Sequence, residues 1–433
     1  MTSDVISRIR ATARANRDAS IGLLRALVAA GRGGEAAVQA LAANAARASG
    51  CAIQTIAYEP ASVPMIEEYA GASVIDPGER RSVLARRKGA GNGRSLIFFA
   101  HPDGEPVAGL DRWRHDPFAG AIAAGRMHGW GIADDLAGVA IMLEALRIVI
   151  ASGGALAGDI ILASTPSKRH ARGVSALLHG GVTADAAIYL HPAESGAGMG
   201  EIKALASGQV EFRVVIAGRL PPTTEPLQTG FAHQAVNPID KAFHLTEALR
   251  ALDARRGARV HHPALHAAVG RSTNLLISHI AAGERHRLAR VPLTCEIGCA
   301  LAFPPPEALA AVRAEIEAAL AGACSADPWL SQHPPEVVWE SGVTGAETSP
   351  EGPLYRCAAA SITAMTGKIP FVNAMHTASD IRNPINQKGI PTIGLGPLCG
   401  DLTQNGGVDE WVNVEDYLSA IEVAAAIILD WAG

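Results

Sequence analysis

Two hydrophobic rhythms divide this chain. In its first half, short continuous apolar runs alternate with longer stretches of helical spacing: SLIFFAHPDGEPV (95–107), GVAIMLEALRIVIASGG (138–154), DIILASTP (159–166), VSALLHGGV (174–182) and AAIYLHPAE (186–194). A continuous apolar run of roughly four to eight residues, closed by polar or turn-forming positions, marks a strand buried on both faces. Strands that alternate with helices build βα units on a mostly parallel sheet. In such a sheet ligands collect outside the carboxyl ends of the strands. The polar residues that follow the apolar runs are therefore the first candidates for chemistry.

From about Gly208 the texture changes. QVEFRVVIAGR (209–219), the long helical KAFHLTEALRALDARR (241–256), the strand-like NLLISHIAAG (274–283) and PLTCEIGCALAFPPPEALAAVRAEIEAALAG (292–322) predict a small α+β sandwich. Beyond about Ser325 the α/β texture returns, with a helix in PLYRCAAASITAMTG, the turn-rich HTASDIRNP, a buried strand in GIPTIGLGP and a terminal helix in EDYLSAIEVAAAIILDWAG. The predicted class is α/β. A mostly parallel-sheet catalytic domain, 1–207 and 325–433, is interrupted by an inserted α+β domain over 208–324. At 433 residues the chain exceeds one ordinary core, which agrees with that division.

Composition narrows the function classes. The chain is 48% hydrophobic and 18% charged, as expected of a fully folded protein. The net charge of −5, with no cluster of Lys/Arg interleaved with aromatics, argues against a nucleic-acid partner. Six scattered cysteines form no CxxC pair, so reduced thiols in the cytoplasm are expected. The start offers no secretory core, and no stretch approaches the roughly 18 apolar residues of a membrane span. A cytoplasmic protein with no membrane partner is expected.

Two segments carry the chemistry. In FFAHPDGEPV, His101 and Asp103 follow a buried strand; in HGWGIADDLAGVA, Asp134 and Asp135 open a helix. A His at one strand end and a carboxylate at a neighbouring one are natural ligands for a borderline divalent metal, and Asp103 is placed to orient the His ring. Taken singly, neither decides. His101 also reads as a structural strand-end histidine and Asp134 as a helix N-cap.

Together, in this order, the segments resemble the H-x-D and G-x-G-x-x-D-D-x-x-G motifs of the di-zinc family of aminoacylases, acetylornithine deacetylases and glutamate carboxypeptidases. TASDIRNPINQKGIPTIGLGP followed by GGVDEWVNVEDY extends the similarity over nearly the whole chain. The resemblance implies that His101 belongs to one metal site and that Asp134 bridges two. The third ligand of the first site falls in YLHPAESG, on His191, with Glu194 as a nearby substitute. That set of two histidines and one carboxylate suits a divalent transition metal, Mn or Zn, or else Fe or Co.

The second site departs from the pattern. Where the family carries Thr-x-Asp-Glu-Glu, with a general base and a ligand, this chain reads STPSKRHARG, and Lys168 and Arg169 stand in the glutamate places. A shift of one residue puts Ser167 and Lys168 there instead, which restores no carboxylate. The family's last ligand, a His shortly before an Asp-Glu pair, falls on Gly406. Lys168 and Arg169 can supply fixed positive charge in place of the missing metal, or be solvated loop cations. For proton transfer Glu194 ranks first, followed by Asp135 and His170. The family's His that reaches a partner's active site has its nearest counterpart in His233. Asn274 matches a substrate-contacting position and His376 lies in a cleft-lining turn, while the usual carboxylate-binding Arg is absent from EIGCALAFPP. A homodimer through the inserted domain follows from the resemblance alone.

The expectation is a single-metal hydrolase that breaks a carbon–nitrogen bond in a small, non-peptide, anionic substrate. An aminohydrolase releasing ammonia fits best, and the outline is similar to a one-metal relative that replaces an aromatic amino group by hydroxyl. This makes a nitroanthranilate-like aromatic amine the candidate substrate, although no residue pattern reports an aromatic ring. The alternatives are a two-metal N-deacylase or dipeptidase with ligands from unrecognised positions, and an inactive relative kept for binding.

Overall fold

The structure is a computed structural model that describes residues 2–192, 196–305, 307–375, 377–399 and 407–433. Its largest sheet has nine strands among the described residues. Along the main path they run Ala52–Tyr58, Arg80–Arg87, Ile160–Ser164, Leu96–Ala100, Ala186–Leu190, Thr392–Leu395, Glu201–Ala206 and Ala346–Glu347, and Phe371–Met375 pairs beside Glu201–Ala206. The four central strands, from Ile160–Ser164 to Thr392–Leu395, are parallel, and antiparallel strands close both edges. Every residue of those four strands is buried. This is why they read as unbroken apolar runs.

Within the runs, alternate residues serve opposite faces. Leu96, Phe98, Ile160, Leu162 and Ile188 pack into one core with the long helices Ala137–Ala151 and Val414–Ala432. Ile97, Phe99, Ile161, Ala187 and Tyr189 pack into a second core, against Gly173–His179. The central strands are thus held from both sides, and their carboxyl ends share one edge. His101, Lys168 and His191 all emerge there, one to four residues beyond three adjacent strands.

A second sheet of five antiparallel strands is ordered Asn274–Ala282, Thr294–Phe303, Gly208–Ala217, Glu336–Val343 and Glu68–Ala70. One face is covered by the helices Pro238–Arg259 and Leu309–Ser325, where Val210, Phe212, Val214 and Ile216 alternate inward. The first of these helices starts on Pro238 after Asn237, whose side chain accepts from the Ile239 amide. Two strands of this sheet, Glu68–Ala70 and Glu336–Val343, come from outside 208–324. The short strand at Glu68 carries no periodicity of its own and is a strand only because it pairs with Ser341–Val343.

The helix expected to open at Asp134 begins later, at Ala137. Residues Ile132–Leu136 form a wide turn in which the Leu136 amide donates to the Gly131 carbonyl at 2.8 Å. The N-cap position of that helix is Leu136, with no side-chain cap bond, so neither Asp134 nor Asp135, whose φ angles are −131° and −150°, caps it.

Candidate active site

His101 is buried immediately after its strand. Its Nδ1 lies 2.9 Å from the backbone carbonyl of Asp103, which directs Nε2 towards Asp134 Oδ1 at 2.6 Å. His191 follows the neighbouring parallel strand, its amide donating to the Leu395 carbonyl at 3.1 Å, and its Nε2 lies 3.2 Å from the same Asp134 oxygen. The other oxygen, Oδ2, accepts from the Lys168 ammonium. One carboxylate therefore joins two imidazoles on one side and an ammonium on the other.

Burial opposes the charge on Asp134, but Lys168, His101 and His191 outweigh it and hold its carboxyl well below the usual range. Burial likewise opposes charge on His101, yet the carboxylates of Asp134 and Asp103 keep its imidazolium favoured well above the ordinary histidine value. Asp103 itself is buried; the bonds from His101, the Ser167 amide and Arg80 overcome that burial and lower its carboxyl. The amides of Ser167 and Lys168 donate to Asp103 at 3.0 and 2.9 Å, and Arg80, anchored on Glu35, donates at 3.0 Å. Asp103 thus fixes both His101 and the loop that carries Lys168.

The donor set suits a metal. His101 Nε2, a carboxylate oxygen of Asp134 and a ring nitrogen of His191 lie within 4.8 Å of one another, the one such group of three among the described residues. The Nδ1 contact of His101 with a carbonyl is the arrangement that frees Nε2 for a metal. At His191 the corresponding place is taken by Lys203, whose Nζ lies 2.8 Å from Nδ1 and also donates to the Pro192 carbonyl. Two imidazoles and a carboxylate, all buried, fit a borderline divalent cation.

The remaining expected residues separate. Asp135 is buried beside the cluster, where its Oδ2 meets the His101 amide at 3.4 Å and its Oδ1 has no hydrogen-bond partner; burial pushes its carboxyl well above the usual range. A Cβ at Gly138 would fall 1.9 Å from the Leu190 carbonyl and 2.4 Å from Asp135 Oδ1, so the last Gly of the motif lets the helix approach the His191 strand. Arg169 does not join Lys168. Its backbone is left-handed (φ 52°), and its guanidinium lies at the surface with Asp76 at 3.2 Å and Glu105 at 3.5 Å. His170 turns towards Glu68, Arg172 and Arg382, and burial lowers its imidazolium. His233 is exposed beside Gln234, and Asn274 is exposed at the start of its strand. Glu194, His376 and Gly406 lie outside the described residues.

Three further residues serve this region; Arg80 and Lys203 carry no motif of their own, and Glu410 is the Glu of the Asp-Glu pair that follows Gly406. Arg80 opens the antiparallel strand Arg80–Arg87, which lies between Ala52–Tyr58 and Ile160–Ser164. Lys203 is fully buried in the all-buried strand Glu201–Ala206, and a lysine inside EIKALA is itself a signal, because lysine is almost never buried unless paired. Glu410 accepts from the amides of Ala133 and Asp134 at 2.7 and 3.0 Å through Oε1, and from Gly131 at 3.1 Å through Oε2. Burial, reinforced by Asp134, pushes its carboxyl up to about 7. Glu410→Ala is expected to leave those three amides without partners and to lower unfolding free energy by about 2 to 4 kcal/mol. Denaturant titration checks this, and an unchanged midpoint would contradict the role.

At the carboxyl edge of this mixed sheet, two buried histidines and a carboxylate form a candidate metal site. The chain belongs to peptidase family M20/M25/M40, whose model matches residues 97–430. It is similar to the N-formyl-4-amino-5-aminomethyl-2-methylpyrimidine deformylase of Halalkalibacterium halodurans, with 23% identity over 78% of this chain and 79% of that protein. It is also similar to the succinyl-diaminopimelate desuccinylase of Methylocella silvestris, with 26% identity over 91% of this chain and 92% of that one. Among solved structures, an M20 family metallo-carboxypeptidase of Sulfolobus solfataricus superposes with a TM-score of 0.70 at 12% identity, covering 100% of this chain and 99% of that one. No helix among the described residues is long and apolar enough to cross a membrane.

Proposed function

We propose that this chain is a single-metal hydrolase that breaks a carbon–nitrogen bond in a small non-peptide substrate, acting as an aminohydrolase that releases ammonia from a nitroanthranilate-like aromatic amine. The observation that carries the single-metal part is the Lys168 ammonium on Asp134 Oδ2, where the family resemblance calls for a second metal. His101, Asp134 and His191 would hold the metal, Mn or Zn. When bound, it supplies Lewis-acid activation of water. Asp103 orients His101, Glu410 holds the Asp134 turn, and Lys168 provides fixed positive charge for negative charge that develops on the substrate. Proton transfer is assigned to Glu194 from its place in the sequence, three residues beyond His191.

A second reading, N-deformylation of a small amide, is favoured by the deformylase relatives, the second of which, from Bacillus subtilis, matches 82% of this chain. Incubating the metal-loaded protein with aromatic amines and with N-formyl aminomethyl-pyrimidines separates the two. Ammonia release supports the aminohydrolase, formate release the deformylase, and neither product from either set would sink both.

We also infer a homodimer through the second sheet, with His233 reaching towards the partner. Its outer strand Asn274–Ala282 has no strand paired at its outer edge among the described residues and exposes Leu276 (60%) and Ile280 (51%). Ile280→Lys is expected to halve the mass measured by light scattering; a wild-type monomer would overturn the inference.

A further inference from the structure

A polar cavity of about 150 Å³ lies where the two sheets meet, walled by Glu68 and Met65 on one side and by Ser167, His170, Arg172 and Arg382 on the other. It is several times the roughly 30 Å³ share of one liquid water. Two of its walls carry guanidinium groups, and the two are compensated unequally. Arg382 donates to Glu68 Oε2 at 2.9 Å and to Asp380 Oδ1 at 3.0 Å. The remaining Asp380 oxygen accepts from the Ser167 hydroxyl. Arg172 is less well served. Its side chain is 7% exposed, its Nη1 donates to the Pro60 carbonyl at 3.1 Å, and its one carboxylate contact is Glu68 Oε1 at 3.7 Å; the Nε atoms of both arginines have no hydrogen-bond partner.

A buried guanidinium whose one ion pair is long, and whose carboxylate partner is shared with a second arginine, is less fully compensated than burial demands. Consistently, burial lowers Arg172, whereas Arg382 beside it is raised by its two carboxylates. Arg172 is held in this place by a left-handed backbone at φ 55°, a conformation that costs a non-glycine residue about 1 to 3 kcal/mol. The cavity also adjoins the metal-ligand cluster, because Ser167 lines it while the Ser167 and Lys168 amides both bind Asp103.

We propose that this cavity is the substrate's carboxylate subsite, with Arg172 as the residue that takes the anion. The proposal rests on the small-substrate reading above and names the chemistry of one end of that molecule. It places the anion-binding function on the loop after the strand Ile160–Ser164, in a chain whose strand Thr294–Phe303 lacks the arginine that the family resemblance leads one to expect there. A carboxylate in the cavity would accept from the Arg172 guanidinium that lines it, with the carbon–nitrogen bond of the same small molecule towards Asp134.

The test is binding, which does not require turnover. Benzoate and its neutral isostere benzamide are titrated calorimetrically into the metal-loaded wild-type protein and into Arg172→Met and Arg172→Lys. The expected result is benzoate binding at least about tenfold tighter than benzamide in the wild type, a loss of about tenfold or more in Arg172→Met, and partial recovery in Arg172→Lys. Equal binding of the two probes, or benzoate binding unchanged in Arg172→Met, would overturn the subsite. Should Arg172→Met not fold, the wild-type comparison and Arg172→Lys still decide. Benzoate selectivity that depends on Arg172 in a protein releasing neither ammonia nor formate would leave the subsite standing and remove only the catalytic reading.

Discussion

Asp134→Ala is expected to abolish hydrolysis, by more than about a thousandfold, and to reduce bound metal from about one equivalent per chain to about a tenth or less. Asp134 is the residue on which every other part of the cluster converges: both histidines meet its Oδ1 and Lys168 meets its Oδ2. Its removal takes away a ligand. It also leaves the Lys168 ammonium, which is largely buried, without its carboxylate, so unfolding free energy should fall by about 3 to 5 kcal/mol in addition. Asp134→Asn separates the effects, because the amide keeps the volume and an acceptor while losing the charge. Elemental analysis, denaturant titration and product release together read the outcome. A variant that keeps its metal would show that Asp134 is no ligand.

Lys168→Met carries the second large effect. It removes one of the cations paired with a buried carboxylate and leaves that charge to His101 and His191 unless a metal takes it, at a cost of at most about 3 to 5 kcal/mol in metal-free protein. Activity should fall by about a hundredfold or more, since a fixed positive charge aimed at the reacting centre is lost. Lys168→Glu goes further, because it places a carboxylate where the family's second metal would need one. Under excess Mn or Zn, this variant is expected to bind more than one equivalent. Wild-type activity in Lys168→Met, or two equivalents of metal in the unaltered protein, would show that Lys168 does not stand in for a metal.

Much of the architecture is readable in the order of residues. The central parallel strands announce themselves as unbroken apolar runs because both of their faces are covered. The Gly at 138 can be read from its motif, and its reason is the close approach of the helix to the Leu190 carbonyl. His101, Asp134 and His191 are legible because each directly follows a recognisable strand or precedes a recognisable helix. Local pattern fails where an element exists only through its partner. Glu68–Ala70 is three residues long and acquires strand structure from Ser341–Val343.

What the amino-acid order determined by itself was the class of fold, the position of the cleft at the strand ends, and the loss of carboxylates from the Ser167–Arg169 segment. These are properties of periodicity and residue type, which survive without knowing distances. Tertiary structure alone decided that Lys168 turns inward to Asp134 while its neighbour Arg169 turns out to Asp76 and Glu105, since the left-handed backbone at Arg169 cannot be read from the letters. It alone brought Glu410 to the cluster and Glu68 against Arg382 from positions remote in sequence, and set Lys203 and Arg80 against the cluster from other strands. Such pairings arise because a buried charge must find its complement wherever packing brings one within reach.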